Sequence, residues 1–386
     1  MCVFVEGIKS GQHDFFSSFV LARTQNTCHF CLFTCQLHEY HYVDQNMTWA
    51  EAQQHCRDEY TDLATVSSMA DIDRLRKINS ENKHVWIGLF NQTGTIATSH
   101  WSLPGLQFNE SQAKWKPNEP NGGVAETCGA IEHITDKKWL DMPCMISSNF
   151  LCYNDKMTWF DAQRYCRENH IDLISGPQLE ELQKHNDDTE NIIQVYERTT
   201  VVNLNSLSRF NYIFIGLFRD AWTWSDGSSF SFRHWNVWYD STSEKNNCTI
   251  LNQDGVWETK ICSERKPFIC YTDHVILINE SRTWEEALYY CRHHHHDLVT
   301  ITNLDDQRWV QEKTKNATTP FVWTGLRYTC TLGFWFWVSD EVVRFKNWAS
   351  PEQVNECDMS GAMETGGEHK WVKKYDEEKF NFFCSK

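Results

Sequence analysis

The stretch "TWAEAQQHCRDEYTDL" at residues 48–63 decides how the rest of the chain is interpreted. It returns as "TWFDAQRYCRENHIDL" at 158–173 and as "TWEEALYYCRHHHHDL" at 283–298. Because Thr-Trp, Ala, Cys-Arg and Asp-Leu keep their places, the chain contains one structural unit three times. Trp49, Ala52 and Cys56 lie three and four residues apart, which predicts an amphipathic helix with these side chains in the core.

Two further patterns follow each of these helices. The runs "VWIGLF" at 85–90, "IFIGLF" at 213–218 and "VWTGLR" at 322–327 predict buried strands, with a glycine where two backbones approach closely. Each copy then closes on an aromatic residue and a cysteine, at Phe150-Leu-Cys152, Phe268-Ile-Cys270 and Phe382-Phe-Cys384. Each copy therefore runs from a helix to a final buried strand.

Sixteen cysteines without zinc-finger spacing favour an oxidising compartment and disulfide bonds. Since the helix cysteine and the closing cysteine recur together, their simplest pairing is Cys56–Cys152, Cys166–Cys270 and Cys291–Cys384. Loop cysteines predict two more bonds, Cys128–Cys144 and Cys248–Cys262. Six cysteines remain, and a bond between Cys330 and Cys357 is a hypothesis, while the partners of Cys2, Cys28, Cys31 and Cys35 stay open.

The charge balance excludes several kinds of partner. Lysine and arginine total 36 against 52 acidic residues, a net charge of −16, which argues against nucleic acid and anionic membranes. No apolar run reaches the roughly eighteen residues of a membrane span, and a secreted or extracellular protein is expected. Six glycosylation sequons point to the same compartment, at Asn46, Asn91, Asn109, Asn247, Asn279 and Asn316.

Together, the helix with its cysteine, the W-I-G-L strand, the loop cysteines and "EPN" at 119–121 resemble C-type lectin-like domains. The arrangement is similar to multi-domain fish lectins of the macrophage-mannose-receptor-like or selectin-like kind. The resemblance implies an α+β fold of three tandem domains, each with two helices flanking small antiparallel sheets and a long ligand loop. The expected limits are 36–153, 154–271 and 272–386, after a leader or disordered segment at 1–35.

The resemblance also implies a calcium and sugar site in copy one. Glu119 and Asn121 flank Pro120 on the loop, with the proline expected to be cis, and Glu126 and Asp141 would complete the side-chain ligands of Ca²⁺ and of the carbohydrate. In this family, E-P-N indicates mannose, fucose or N-acetylglucosamine. The strand reads Trp139-Leu140-Asp141, however, so leucine stands where the family has asparagine, and calcium affinity should suffer.

The other two copies lack this ligand set. The strand of copy two reads Trp257-Glu258-Thr259, and copy two has no E-P-N. Copy three keeps Glu356 before Cys357 and has Glu352 after Pro351, but Lys373 in its strand would oppose a cation. Both copies are therefore expected to serve as spacers or protein-binding surfaces.

Three classes of function compete: a lectin for glycans on glycoproteins or microbial surfaces, a calcium-independent lectin-like module that binds proteins, and a metal-dependent enzyme. The enzyme is the weakest, because no catalytic motif such as H-E-x-x-H occurs. Consecutive histidines at 293–296 fan out around a helix and favour a solvated helix end over a metal site. The C-x-x-C pair at 28–31 has no second half of a zinc site and favours a leader segment or a plain disulfide.

Overall fold

The computed structural model describes residues 37–81, 83–92, 96–123, 127–132, 138–150, 152–176, 178–180, 212–236, 239, 247–351 and 354–386. Its helices are α1 Trp49–Glu59, α2 Met69–Ile78, α3 Trp159–Asn169, α4 Trp284–His294 and α5 Leu304–Lys313, with short 3₁₀ turns at Glu110–Gln112 and Thr314–Asn316. The predicted leader segment at 1–35, with Cys2, Cys28, Cys31 and Cys35, lies outside the described residues.

Twenty strands accompany these helices in the described part of the chain. In the first half they are β1 His38–Met47, β2 Asp62–Leu63, β3 Val85–Asn91, β4 Thr98–Trp101, β5 Cys128–Ile131, β6 Trp139–Met142, β7 Ser148–Phe150, β8 Tyr153–Met157, β9 Ile213–Asp220 and β10 Trp222–Trp224. In the second half they are β11 Cys248–Leu251, β12 Trp257–Lys260, β13 Lys266–Asp273, β14 Val275–Arg282, β15 Asp297–Leu298, β16 Phe321–Thr329, β17 Phe334–Trp337, β18 Met359–Glu364, β19 Trp371–Tyr375 and β20 Phe380–Ser385. The mixture of helices and small sheets confirms the predicted α+β class.

The repeated Thr-Trp pair starts each helix and ties it to a strand. The Thr48 hydroxyl caps α1 by accepting a hydrogen bond from the Glu51 amide, and the Glu51 carboxylate accepts one from the Thr48 amide, which forms a capping box. The buried indole of Trp49 donates to the Ile87 carbonyl at 2.9 Å. Trp159 and Trp284 make the same bond to β9 and β16, at 2.8 and 2.9 Å.

The glycine of the W-I-G-L strand permits the close backbone approach that its sequence predicts. The Gly88 amide donates to the Ala64 carbonyl at 2.9 Å. A Cβ atom at Gly88 would lie 2.9 Å from the Leu63 carbonyl oxygen, which is too close for an ordinary contact. Helix, following segment and strand therefore form one tightly joined block in each copy.

All three sheets have the same strand order. The sheet that we call outer runs β1-β13-β3-β11-β12, and the sheet that we call inner runs β8-β7-β9-β5-β6, because the strands of the inner sheet lie between those of the outer sheet in the sequence. The third sheet runs β14-β20-β16-β18-β19. Short strands extend them: β2 and β10 in the outer sheet, β4 in the inner sheet, and β15 and β17 in the third sheet. In each sheet the closing strand lies between the opening strand and the W-I-G-L strand.

Copies one and two exchange halves in building the first two sheets. The outer sheet combines β1–β3 of copy one with β10–β13 of copy two, and the inner sheet combines β4–β7 of copy one with β8 and β9 of copy two. The third sheet takes all its strands from copy three. The limits 36–153 and 154–271 therefore describe the repeats in the sequence. That each range also corresponds to a separate domain stays a prediction.

The exchange overturns two of the predicted disulfide pairings. Cys56 bonds to Cys270 instead of Cys152, and Cys152 bonds to Cys166. The other predicted bonds are confirmed, including the hypothesis for copy three: Cys128–Cys144, Cys248–Cys262, Cys291–Cys384 and Cys330–Cys357.

Sequence proximity contributes to the different pairing, although the one-residue connection between β13 and β14 forms no hairpin. Strand β7, which closes copy one, is followed after two residues by β8, which opens copy two, and the two strands pair as an antiparallel hairpin. Such a local contact closes a very short loop and costs little chain entropy. Cys152 lies at this turn, and its Cα is 5.8 Å from that of Cys166 on α3.

Copy three packs onto the exchanged pair through α5. Trp309 stacks on His38 with ring centroids 3.9 Å apart, and its indole donates to Asp273 at 3.1 Å. Arg308 donates to the Ile171 carbonyl at 2.7 Å. Copy three therefore contacts both copy one and copy two. No helix among the described residues is long and apolar enough to cross a membrane.

We expect peptide mapping under non-reducing conditions to recover Cys56 linked to Cys270 and Cys152 linked to Cys166, because the exchanged strands place these cysteines together. Mass spectrometry of a digest of the native chain measures this directly. Cys248–Cys262 serves as the internal control, since its bond is the same with or without exchange. Peptides that join Cys56 to Cys152 would contradict the exchange.

Candidate functional site

The base of the copy-one loop is fastened to the strand that carries Asp141. The Lys116 amide donates to the Trp139 carbonyl at 2.8 Å, and the Trp139 amide donates to the Lys114 carbonyl at 2.7 Å. These two bonds fix the start of the loop beside β6. The family resemblance places ligands on both the loop and β6, so their contact is the first requirement of the site.

The E-P-N segment forms the turn that follows. The Glu119 amide donates to the Lys116 carbonyl at 3.0 Å, and Asn118 has a positive φ of 69°. The Glu119–Pro120 peptide is cis, which confirms the expectation from the sequence resemblance. The Asn121 side-chain amide donates to Glu119 Oε1 at 2.8 Å, so the two predicted ligands lie side by side.

Asp141 completes this group from β6. Its buried carboxylate accepts the Asn121 amide on Oδ1 at 3.0 Å and the Gly122 amide on Oδ2 at 3.2 Å. Three of the four predicted ligands, Glu119, Asn121 and Asp141, are therefore brought together. The fourth, Glu126, lies outside the described residues.

Arg219 of copy two also reaches the site, and sequence reasoning missed it. Its Nη2 lies 3.5 Å from Asp141 Oδ2 and also donates to the Gly123 carbonyl. The strand exchange delivers this side chain, because β9 pairs with β5 and the Arg219 amide donates to the Thr127 carbonyl at 2.7 Å. Within copy one, no sequence signal points to a residue in another copy.

A pocket lies between the loop and the inner sheet. Its walls include Ser99, Trp115, Pro120, Asp141, Phe218 and Arg219. The lining thus combines aromatic rings with a carboxylate, a guanidinium and a hydroxyl. With a volume of about 10 Å³, however, the pocket has room for no more than one water molecule, so a sugar would have to bind at the surface of the loop.

The oxygen atoms of the loop and of Asp141 are of the type that binds a hard cation, but they are too few to fill its coordination shell. Ca²⁺ takes roughly six to eight oxygen ligands, and Glu119, Asn121 and Asp141 offer two carboxylates and an amide. Leu140 adds only hydrocarbon, since it packs against the buried cluster that contains Phe150 and Trp159. Among the described residues, no group of three or more His, Cys, Asp and Glu side chains is placed to hold a metal.

The strand of copy two carries no comparable group. Glu258 lies on β12 and accepts a hydrogen bond from Asn252 at 3.0 Å and an ion pair from Lys260 at 3.2 Å. Burial disfavours its charged form, but these two partners keep the pKa of Glu258 below its ordinary value. Glu258 is therefore committed to contacts within its own copy.

Copy three keeps the shape of the loop without its ligands. The Ser350–Pro351 peptide is cis, but serine stands where copy one has Glu119, and Glu352 lies outside the described residues. Glu356 accepts the Tyr375 hydroxyl at 2.6 Å, and this bond raises the pKa of that hydroxyl. Lys373 extends to Asn355 Oδ1 at 2.6 Å.

The four histidines end α4 at the surface, as the sequence predicts. His293, His294 and His296 are exposed, and His295 is half-buried. The helix itself ends at His294, and the His295 amide donates to the Cys291 carbonyl. These residues therefore form a solvated helix end.

The chain was compared with protein families, with curated proteins and with solved structures. The family model described as Lectin C-type domain matches residues 45–154, 155–272 and 280–386. Human C-type mannose receptor 2 is 23% identical over 370 residues, covering 78% of this chain and 24% of the receptor. Human lymphocyte antigen 75 is 23% identical over 402 residues, covering 85% of this chain and 22% of the relative. The chain spans about a quarter of the length of these curated relatives.

Among solved structures, human lithostathine is 26% identical, with a TM-score of 0.26, and the match covers 28% of this chain and 80% of lithostathine.

Asp141 should hold the loop in place whether or not a ligand is bound. We expect Asp141→Asn to lower the free energy of unfolding by about 1–3 kcal/mol, because one of two buried amide donors then faces an NH₂ group. Urea unfolding and the rate of proteolysis within 117–123 measure the effect. Asp58→Asn on the exposed face of α1 is the matched control. Equal stability of both variants would show that Asp141 does not fasten the loop.

Proposed function

The chain belongs to the C-type lectin domain family, and from this membership we propose that it is an extracellular glycan-binding protein whose main sugar site is the loop of copy one. The observation that carries the proposal is the contact of Glu119, Asn121 and Asp141 around the cis Glu119–Pro120 peptide. The family consists of binding proteins, and the group contains no paired nucleophile and base of the kind that catalysis requires.

The side chains of this loop match the chemistry of a sugar diol. A carboxylate such as Glu119 accepts hydrogen bonds from hydroxyl protons, and the carboxamide of Asn121 donates to hydroxyl lone pairs. The two groups already lie 2.8 Å apart, so they can address neighbouring hydroxyls of one ring. Mannose, fucose and N-acetylglucosamine present such hydroxyl pairs, and we propose them as the ligand class.

Calcium belongs to this proposal as the expected cofactor of copy one. Glu119, Asn121 and Asp141 would hold it, with Glu126 as a further expected ligand, and the bound ion would supply a positive centre for hydroxyl oxygens. Asp141 also positions the loop without the ion, because it accepts the amides of Asn121 and Gly122. Leu140 offers neither an oxygen nor an N–H group, so the site is expected to be weak.

A single weak site gains useful strength through multivalency. Linked binding events raise the effective concentration of the second site, and avidity can exceed the single-site affinity by about two to four orders of magnitude. We therefore propose dense glycans on glycoproteins or microbial surfaces as natural partners, with a role in innate immunity. The six sequons further suggest that the chain is itself a secreted glycoprotein.

Protein binding without calcium is the second candidate function, and copy three favours it. The region around its loop exposes apolar side chains at Leu332, Phe334, Val342 and Val354. The Cys330–Cys357 bond joins the segment of Leu332 and Phe334 to the loop that carries Val354, and exposed apolar surface that is gathered in this way is typical of protein contact sites. Copy three also places Lys373, a cation of its own, in the strand where copy one has Asp141.

We expect the full chain to bind dense mannose, fucose or N-acetylglucosamine on a glycan array in millimolar calcium, and to lose this binding in chelator. The double variant Glu119→Gln with Asn121→Asp should lose it as well, because both ligands then change their hydrogen-bonding character. Glu59→Gln, an exposed carboxylate at the end of α1, is the matched control and should bind like the wild type.

Sugar binding that survives both chelator and the double variant would place recognition elsewhere. Absence of sugar binding under all conditions would favour the protein-binding candidate.

A further inference from the structure

Arg219 of copy two places a positive charge beside the loop of copy one. Its guanidinium lies 3.5 Å from Asp141 and also donates to the carbonyl of Gly123, two residues after Asn121. The Asp141 side chain is 4% exposed and that of Arg219 23%, so the pair is partly shielded from water. Charges in such a setting interact more strongly than they do in bulk water.

We propose that Arg219 is a resident cation that competes with calcium for the copy-one loop. A divalent ion bound to Asp141 would lie within a few ångströms of the guanidinium, and the two positive charges would repel each other. Calcium must therefore displace Arg219 or tolerate it, and either choice weakens metal binding. The inference rests on the proposed function only in naming calcium as the cofactor of this site.

The strand exchange is what brings Arg219 to this loop. Arg219 stands three residues after Gly216 on β9. On the homologous strand of copy one, the residue three after Gly88 is Asn91, and that strand pairs instead with β11 of copy two, where the Asn91 amide donates to the Asn247 carbonyl. If copy one folded on itself, its loop would face a neutral carboxamide. Copy two thus sets the calcium affinity of copy one.

Copy three shows that a side-chain cation can replace a carboxylate at this place in the fold. Lys373 is the third residue of β19, as Asp141 is the third residue of β6. Its ammonium is buried, reaches Asn355 Oδ1 at 2.6 Å, and lies 5.3 and 5.9 Å from the ring centroids of Trp348 and Trp335. Both loops therefore contain a positive charge that belongs to the chain.

Calorimetric titration of the full chain with calcium chloride tests the proposal. Arg219→Met removes the charge and keeps much of the side-chain volume, and we expect it to tighten calcium binding at least about tenfold. Arg219→Lys keeps the charge and should bind calcium as the wild type does. The calcium-dependent rise in melting temperature is a second readout of the same affinity change.

Two controls locate the effect. Arg164→Met removes an equal charge from α3, where Arg164 pairs with Asp161 at 2.9 Å, and should leave calcium affinity unchanged. Glu119→Gln combined with Arg219→Met should abolish the gain, which places the ion at this loop. Arg219→Gln keeps an N–H donor near the Gly123 carbonyl and serves if the methionine variant does not fold.

Calcium affinity that is equal in the wild type and in both uncharged variants would overturn the proposal. A gain that persists with Glu119→Gln, or that also appears with Arg164→Met, would overturn it too, because the effect would then not arise at this loop. Glycan binding is measured separately, so tighter calcium binding without any sugar binding would support the role of Arg219 and contradict the proposed function.

Discussion

The hydrogen bond from the motif tryptophan to the W-I-G-L strand is the interaction on which the architecture depends. In each copy a buried indole donates across the core to a carbonyl of the following strand, at 2.8–2.9 Å. An unpaired buried N–H would cost about 1–3 kcal/mol, so helix and strand are strongly coupled. The first half of every copy is therefore a block with a fixed shape.

The second half of a copy docks onto such a block and can come from either neighbour. The motif arginine shows this, because Arg57 of copy one donates to the Ser225 carbonyl of copy two, and Arg167 of copy two donates to the Ser102 carbonyl of copy one. In copy three the equivalent Arg292 donates to Val338 of its own copy. The docking surfaces are alike, and the hairpin of β7 and β8 favours the exchange.

The charge of the candidate site depends on this exchange. Its loop and Asp141 belong to copy one, but the strand beside them and Arg219 belong to copy two. A site that would be purely anionic in a single copy is therefore partly neutralised. Stability and binding compete for the same groups, because the carboxylate that would bind an ion also anchors the loop amides.

The sequence by itself determined the elements, three amphipathic helices and buried glycine-containing strands, while the resemblance to C-type lectin-like domains supplied the α+β class and the grouping of Glu119, Asn121 and Asp141. The elements follow from local periodicity and motif spacing, which each copy carries alone. Only the tertiary structure decided which closing strand joins which helix, and hence Cys56–Cys270, Cys152–Cys166 and the arrival of Arg219. The physical reason is that the closing strands Phe-Leu-Cys and Phe-Ile-Cys carry nearly the same local pattern, so the choice between them rests on chain connectivity and long-range contacts that no single copy encodes.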